Sequence, residues 1–228
     1  MEYELLANNY VNWEKTWPFL TEAVQETLTM VSETLVVGGI LGLLLGITLW
    51  SLRKGSILQN TVLYQILNFV INFIRPIPFI IFLTAVQPIT IAVVGTSIGT
   101  TAATFPMIVF CTVATARLVE QALITVPSGV IEAATAMGAS KLRIIFDVLL
   151  SETLAPLILS YAFLFVAVID MSAMAGTIGG GGLGNYAIVY GYQKFNITIT
   201  WVCVGIIIVI VQIAQLLANF FAKKVLSR

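Results

Sequence analysis

This chain of 228 residues is 59% hydrophobic and only 10% charged, and its 11 basic and 11 acidic side chains cancel. About a quarter of a soluble domain is charged, so the composition excludes an ordinary soluble protein and gives no footing for nucleic acid. Apolar runs recur that are long enough to cross a hydrocarbon core of roughly 30 Å, which predicts an all-α, polytopic membrane protein built as one membrane domain over residues 1–228.

The N-terminal segment, about residues 1–27, is expected to lie on the outer side. Six of the first 33 residues are acidic (Glu2, Glu4, Glu14, Glu22, Glu26, Glu33) against one base, Lys15, the reverse of the basic start of a secretory signal. The first span is expected from Leu28 to Trp50. It carries Gly38, Gly42 and Gly46 on one face, a small-xxx-small repeat that lets helix backbones approach closely, within the subunit or between subunits. The second lies within Ile57–Val86. It is interrupted by Arg75-Pro76-Ile77-Pro78 and followed by Pro88, so that splitting it would give six spans in all. The third runs from Ser97 to Ala116, is rich in threonine and contains Pro106; its hydroxyls suit a pore face or a packed face equally.

The fourth span is expected from Leu154 to Met171, followed by the glycine-rich Gly176–Gly184. A phosphate-cradling loop needs a preceding strand, so this loop reads as a place where a gate moves or a partner docks closely. The fifth runs from Thr200 to Ala222 and aligns Gln212, Gln215 and Asn219 on one face, which must look inward. Arg75 and Asp170 are the ionisable residues nearest the membrane interior and so are candidate functional charges, with interfacial anchoring as the competing reading. Cys111 and Cys203 lie in apolar runs and read as small buried hydrophobes. Histidine is absent, which removes the usual general base and zinc ligand; no catalytic and no metal-binding residue is assigned.

Basic residues decide the topology. Arg53 and Lys54 follow span one, Arg117, Lys141 and Arg143 follow span three, and Lys223, Lys224 and Arg228 follow span five, against Lys15 and Lys194 on the other side. Five spans with the N-terminus outside and the C-terminus cytoplasmic satisfy this bias; six would misplace a basic cluster or the acidic N-terminus.

The most specific segment is the polar stretch between spans three and four, within residues 117–150. Pro127-Ser128 is a helix start, Ile131–Met137 a short helix that Gly138 ends, and Ser140 the cap of a second helix. Leu142, Ile145, Phe146 and Leu149 give that helix an apolar face. The pattern alone describes a cytoplasmic amphipathic helix pair, and a basic helix resting on anionic lipid would share it.

Glu132-Ala133-Ala134-x-x-x-Gly138, followed by an Ile- and Leu-rich helix, resembles the EAA loop of ABC-importer permeases, the element that docks in a cleft of the ATPase subunit. Arg75-Pro76-Ile77-Pro78-Phe79-Ile80 resembles a segment of amino-acid permeases. Val94–Gly99, Ala136–Ala139, Ser172–Gly176, Gly181–Gly184 and Tyr190-Gly191-Tyr192 fall in the order found in methionine-uptake permeases, from about Leu28 to the C-terminus. Two positions depart from the family: Ser151 replaces the proline of its Leu-Pro-Glu, which is expected to straighten the entry to span four, and Pro76 replaces its usual serine.

The resemblance implies a homodimer in a bacterial cell membrane, surrounded by lipid. It further implies two cytoplasmic ATPase subunits that use ATP and magnesium, and an extracellular or periplasmic substrate-binding protein. The chain itself would bind no cofactor and perform no chemistry. Glu132, Ala133, Ala134, Gly138, Lys141 and Arg143 would couple to the ATPase. Ser172 and Met174 would line or gate the pathway, with simple packing the alternative. A self-contained amino-acid carrier or channel would not need the EAA segment. An intramembrane hydrolase would need a histidine or a second aspartate to partner Asp170.

Overall fold

The computed structural model describes residues 11–226, so Glu2, Glu4 and Arg228 of the charge pattern lie outside the described residues. The described residues are predominantly helical. Helix α1 (Trp13–Glu33) passes through a π-helical turn, Thr34–Gly38, into α2 (Gly39–Leu52), and the three form one apolar helix of 40 residues. Asn12 caps it, its side chain accepting the Lys15 N–H at 3.3 Å. The first span is therefore longer than the apolar run from Leu28, because helix continues through the acidic segment.

Helix α3 (Thr61–Ile74) begins at the Asn60 cap and stops at Arg75. Pro76 and Pro78 lack the N–H a continuing helix needs and restrict the residues before them. The chain turns by 103° into α4 (Phe79–Ala85), and α5 (Gln87–Val94) follows, ending at left-handed Gly95. Next come α6 (Thr100–Ile124) and α7 (Ser128–Ala136). Helix α8 (Lys141–Arg143) continues through the π-helical Ile144–Leu149 into α9 (Leu150–Gly176), and Lys141–Gly176 is one unbroken apolar helix. Ser151 thus sits in continuous helix, as expected where the proline is missing. Helix α10 (Gly182–Tyr186) is short and leads through the π-helical Ala187–Tyr192 to α11 (Ile197–Leu226). Four of these helical runs are long and apolar enough to span a membrane, or five if the bent pair α3–α4 counts as one span.

The residues group into two compact units. One takes in residues up to Val36, Pro78–Val109 and Phe165–Ile213. Its core joins α1 to α10 and α11 through Leu20, Ala23, Leu183, Tyr186, Ile199 and Cys203. The other takes in Val37–Ile77, Phe110–Leu164 and the described residues from Ala214 on. Its core is built from Trp50, Val119, Leu123, Ile144 and Leu149 with their neighbours. In this second unit a Cβ added at Gly42 would lie 2.4 Å from the Thr115 Cβ, and one at Gly46 would lie 2.6 Å from that of Val119. The small-residue face of α2 is therefore used within the subunit, against α6.

Candidate functional site

The polar segment folds as a compact helix–turn–helix. Pro127 precedes α7, and Gly138 (φ +78°) ends it. The Gly138 N–H donates to the Thr135 carbonyl at 2.9 Å and the Ala139 N–H to that of Ala134 at 3.1 Å. This paired closure satisfies the last carbonyls of the helix and needs a left-handed residue at its corner. Ser140 Oγ then accepts the Arg143 N–H at 3.3 Å and starts the second helix.

The inner face of the pair consists of Ala134, Ile144, Ile145 and Leu149, packed on Trp50, Val119 and Leu123. The outer face exposes Glu132, Ala133, Gly138, Lys141 and Arg143. Met137 is exposed as well (82%). The expected apolar face is kept, with one edge more exposed than the other. Ile145 and Leu149 are buried in the core, and Leu142 and Phe146, more exposed, line a cavity with Ile145 beside Leu44, Ile47 and Leu58. An exposed apolar Met137 together with the exposed charges Glu132, Lys141 and Arg143 has the make-up of a protein-docking surface. The exposed Arg143–Asp147 pair, 3.6 Å apart, adds little stability.

The charges that the sequence places nearest the membrane interior are exposed: Arg75 at the end of α3, and Asp170 on α9. A different pair is withdrawn from the surface, Glu120 buried and Arg117 half-buried. Helix α6 runs on to Ile124, so Arg117 is inside it rather than beyond its end. Its guanidinium meets Glu120 at 2.5 Å, with the two side chains 14% and 3% exposed. Helix α3 completes the network. Tyr64 Oη donates to Glu120 at 3.2 Å, and Arg117 donates to Asn68 and, at 2.7 Å, to Asn72. Glu120 is a residue the sequence analysis does not single out. The available signal was Tyr64, Asn68 and Asn72 spaced four apart, one polar stripe on an otherwise apolar helix.

The glycine loop is tightly built. Gly180 donates to the Ala175 carbonyl at 2.9 Å, and the Gly99 N–H to the Gly179 carbonyl at 2.9 Å. A Cβ at Gly176 would lie 2.3 Å from the Asn185 nitrogen, and one at Gly184 would lie 2.4 Å from Ala173. The close approach expected of these glycines is met by the chain itself. Two side chains of α1 reach the loop. Glu26 Oε2 accepts the Gly182 N–H at 2.6 Å, and Thr27 Oγ1 accepts the Leu183 N–H at 2.8 Å.

The two gate candidates separate. Ser172 is buried and donates to the Ile169 carbonyl of its own helix at 2.7 Å. Met174 lines an apolar cavity of about 280 Å³ with Leu183, Cys203 and Ile207. A second cavity, of about 270 Å³, is lined by Leu83, Thr84, Gln87, Thr90, Ser97 and Ala103, among others. Among the described residues no group of three His, Cys, Asp or Glu comes together as a metal site.

Residues 38–227 match the family described as binding-protein-dependent transport system inner membrane component. Over 206 residues the chain is 43% identical to the probable D-methionine transport system permease protein of Vibrio cholerae, covering 90% of this chain and 92% of that protein. It is 41% identical over 170 residues to the methionine import system permease protein of Bacillus subtilis, 75% of this chain and 77% of that one. Among solved structures, a chain of the methionine ABC transporter MetNI in an inward-facing conformation matches with a TM-score of 0.91 at 36% identity, over 94% of this chain and 99% of that one. By the extent of these matches, the chain belongs to the family of binding-protein-dependent transport system inner membrane components.

Proposed function

We propose that this chain is the membrane-spanning permease subunit of an ATP-driven importer for methionine or a related amino acid. It works as a homodimer with two cytoplasmic ATPase subunits and an external binding protein that delivers the substrate. ATP and magnesium act in the ATPase; this chain holds, moves and releases. The observation that carries the reading is the exposed helix pair α7–α8. Its Glu132, Ala133 and Gly138 are exposed, as an ATPase contact needs, Met137 offers an exposed apolar side chain beside them in sequence, and buried Ala134 anchors the helix to the core.

The pair suits a lever. Its inner face is fixed in a core, and its second helix is continuous from Lys141 to Gly176, so a displacement imposed at the ATPase enters a stiff span. Inward- and outward-open states need differ by only a few kcal/mol for ATP and the loaded binding protein to shift their populations. Met174, on an open apolar cavity, is the better gate candidate; Ser172, bonded to its own helix, acts by packing behind it. Asp170, exposed on a spanning helix, would be costly in lipid, so it is assigned to the second copy or the pathway, and Arg75 to an anchoring role.

Charge and aromatic placement support an N-terminus outside and a C-terminus cytoplasmic in a bacterial cell membrane. The described bases of the first unit are Lys15 and Lys194, accompanied by exposed Trp13, Trp17, Tyr192 and Trp201, an aromatic belt of the interfacial type. Arg53, Lys54, Lys141, Arg143, Lys223 and Lys224 are exposed in the second unit.

The test is reconstitution. Purified with its ATPase, placed in proteoliposomes and supplied with a methionine-loaded binding protein, the chain should accumulate methionine only with ATP. Uptake driven by an ion gradient without the ATPase would establish a self-contained carrier and overturn the reading.

A further inference from the structure

Helix α1 lies before the region shared with the wider family, whose match begins at residue 38, yet it makes the most specific contacts of the glycine loop. Gly182 and Leu183 open the short helix α10, so their N–H groups have no partner inside it. Glu26 and Thr27, adjacent on α1, take one each, at 2.6 and 2.8 Å. Thr27 is 2% exposed, and Met30, one turn on, is fully buried. A Cβ at Gly181 would lie 2.6 Å from the Glu26 carboxylate, and one at Gly182 would lie 2.7 Å from the Thr27 hydroxyl and 2.9 Å from Met30 Cε. Both glycines have φ near +80° (+79° and +77°), so the loop is seated on α1 in a backbone form that other residues rarely adopt. Its other side grips the end of α9: Gly180 bonds to Ala175, and Gly184 lies against Ala173, the residues on either side of Met174.

We propose that Glu26 and Thr27 are positioning residues that latch the glycine loop against α1 and thereby hold the Ala173–Ala175 end of α9 shut, and that release of this latch is a step of the transport cycle. The inference rests on the importer reading above. It gives helix α1, which lies outside the family match, a role in restraining the loop. Two adjacent side chains bonded to two consecutive backbone N–H groups define one loop position. The hydrogen bond to the carboxylate is charge-assisted and so is the stronger of the two.

The complex with its ATPase, in nanodiscs, tests this by hydrogen–deuterium exchange at residues 182 and 183. The wild type should protect both amides without nucleotide and lose that protection when trapped with ATP and vanadate. Glu26→Leu, which removes the acceptor, and Thr27→Val should each raise exchange in the nucleotide-free state roughly ten- to a hundredfold, the effect of losing such a hydrogen bond. They should also raise the ATP hydrolysed per substrate imported several-fold. Thr27→Ser, which keeps the hydroxyl, should behave as wild type.

Protection equal in all nucleotide states of the wild type would overturn the latch. So would variants that lose protection but keep the wild-type coupling ratio, since the contact would then be merely structural. If Glu26→Leu failed to assemble, the Thr27→Val and Thr27→Ser pair would decide. Wild-type complexes that import nothing on ATP would instead count against the importer reading, while exchange at these amides would still decide the latch.

Discussion

Gly138 concentrates the demands of the docking turn in one residue. Its φ of +78° is left-handed, its N–H closes on Thr135, and nothing lies within 4 Å of where a Cβ would be. Alanine there meets no clash and costs about 1–2 kcal/mol for the left-handed backbone, whereas proline can neither reach that φ nor supply the N–H. Gly138→Ala should therefore keep most ATP-driven uptake. Gly138→Pro should reduce it at least about tenfold with normal membrane insertion, because an interior hydrogen bond and the turn are lost together. Uptake in proteoliposomes, beside the amount of ATPase co-purified, separates the two. Glu132→Lys reverses an exposed charge without touching the core, so its loss should appear in co-purification as well. At Gly46 the opposite condition holds. A Cβ would lie 2.6 Å from the Val119 Cβ and 2.7 Å from the Ala116 carbonyl, so Gly46→Ala must push α2 away from α6. The expected cost is about 1–3 kcal/mol, seen as a lower melting temperature of the purified complex; an unchanged melting temperature would show that the helices do not pack as described.

Among the helices, α3 and α6 are joined by charge rather than by fit alone. Buried Glu120 pairs with half-buried Arg117, and Tyr64, Asn68 and Asn72 complete the network. Removing one partner strands the other, so Glu120→Ala should cost about 3–5 kcal/mol. Pairing it with Arg117→Met removes the stranded cation, and the double variant should recover part of that loss. A thermal double-mutant cycle on the complex measures this, and strict additivity would mean that the pair is not coupled. The network also marks where sequence reading stops. The ends of α7 and the start of α8 were legible because proline, glycine and serine act within a turn of where they stand. The bend after Arg75 was legible as an interruption, for the same reason. The partners of Arg117 on α3 lie 45 and 49 residues away, and a periodic pattern on one helix does not name the helix it meets. Most of helix α1 was hidden by its own acids: Glu14, Glu22 and Glu26 set the segment before Leu28 apart as an outer segment, while Leu20, Ala23 and Thr27 within it are buried.

For the whole molecule, α11 is the element that a single chain leaves unfinished. Only 6% of its most apolar stretch is buried within the chain, although Gln212, Gln215 and Asn219 form a stripe along it. Gln212 and Asn219 are exposed and Gln215 half-buried. Amide side chains facing hydrocarbon lose their hydrogen bonds, so a lipid-facing stripe would be costly; a stripe against a second copy or a water-filled path would not. The two arrangements respond to leucine with opposite sign. If the stripe faced lipid, replacing all three residues with leucine would stabilise the complex and leave uptake alone. If it faces protein or water, as the homodimer reading requires, the triple variant should lower the melting temperature, each lost interhelical bond counting for about 0.6 kcal/mol. It should also lower ATP-driven uptake. The sign of the change in melting temperature, with uptake as the second axis, thus decides which surface of this chain is completed by its partner.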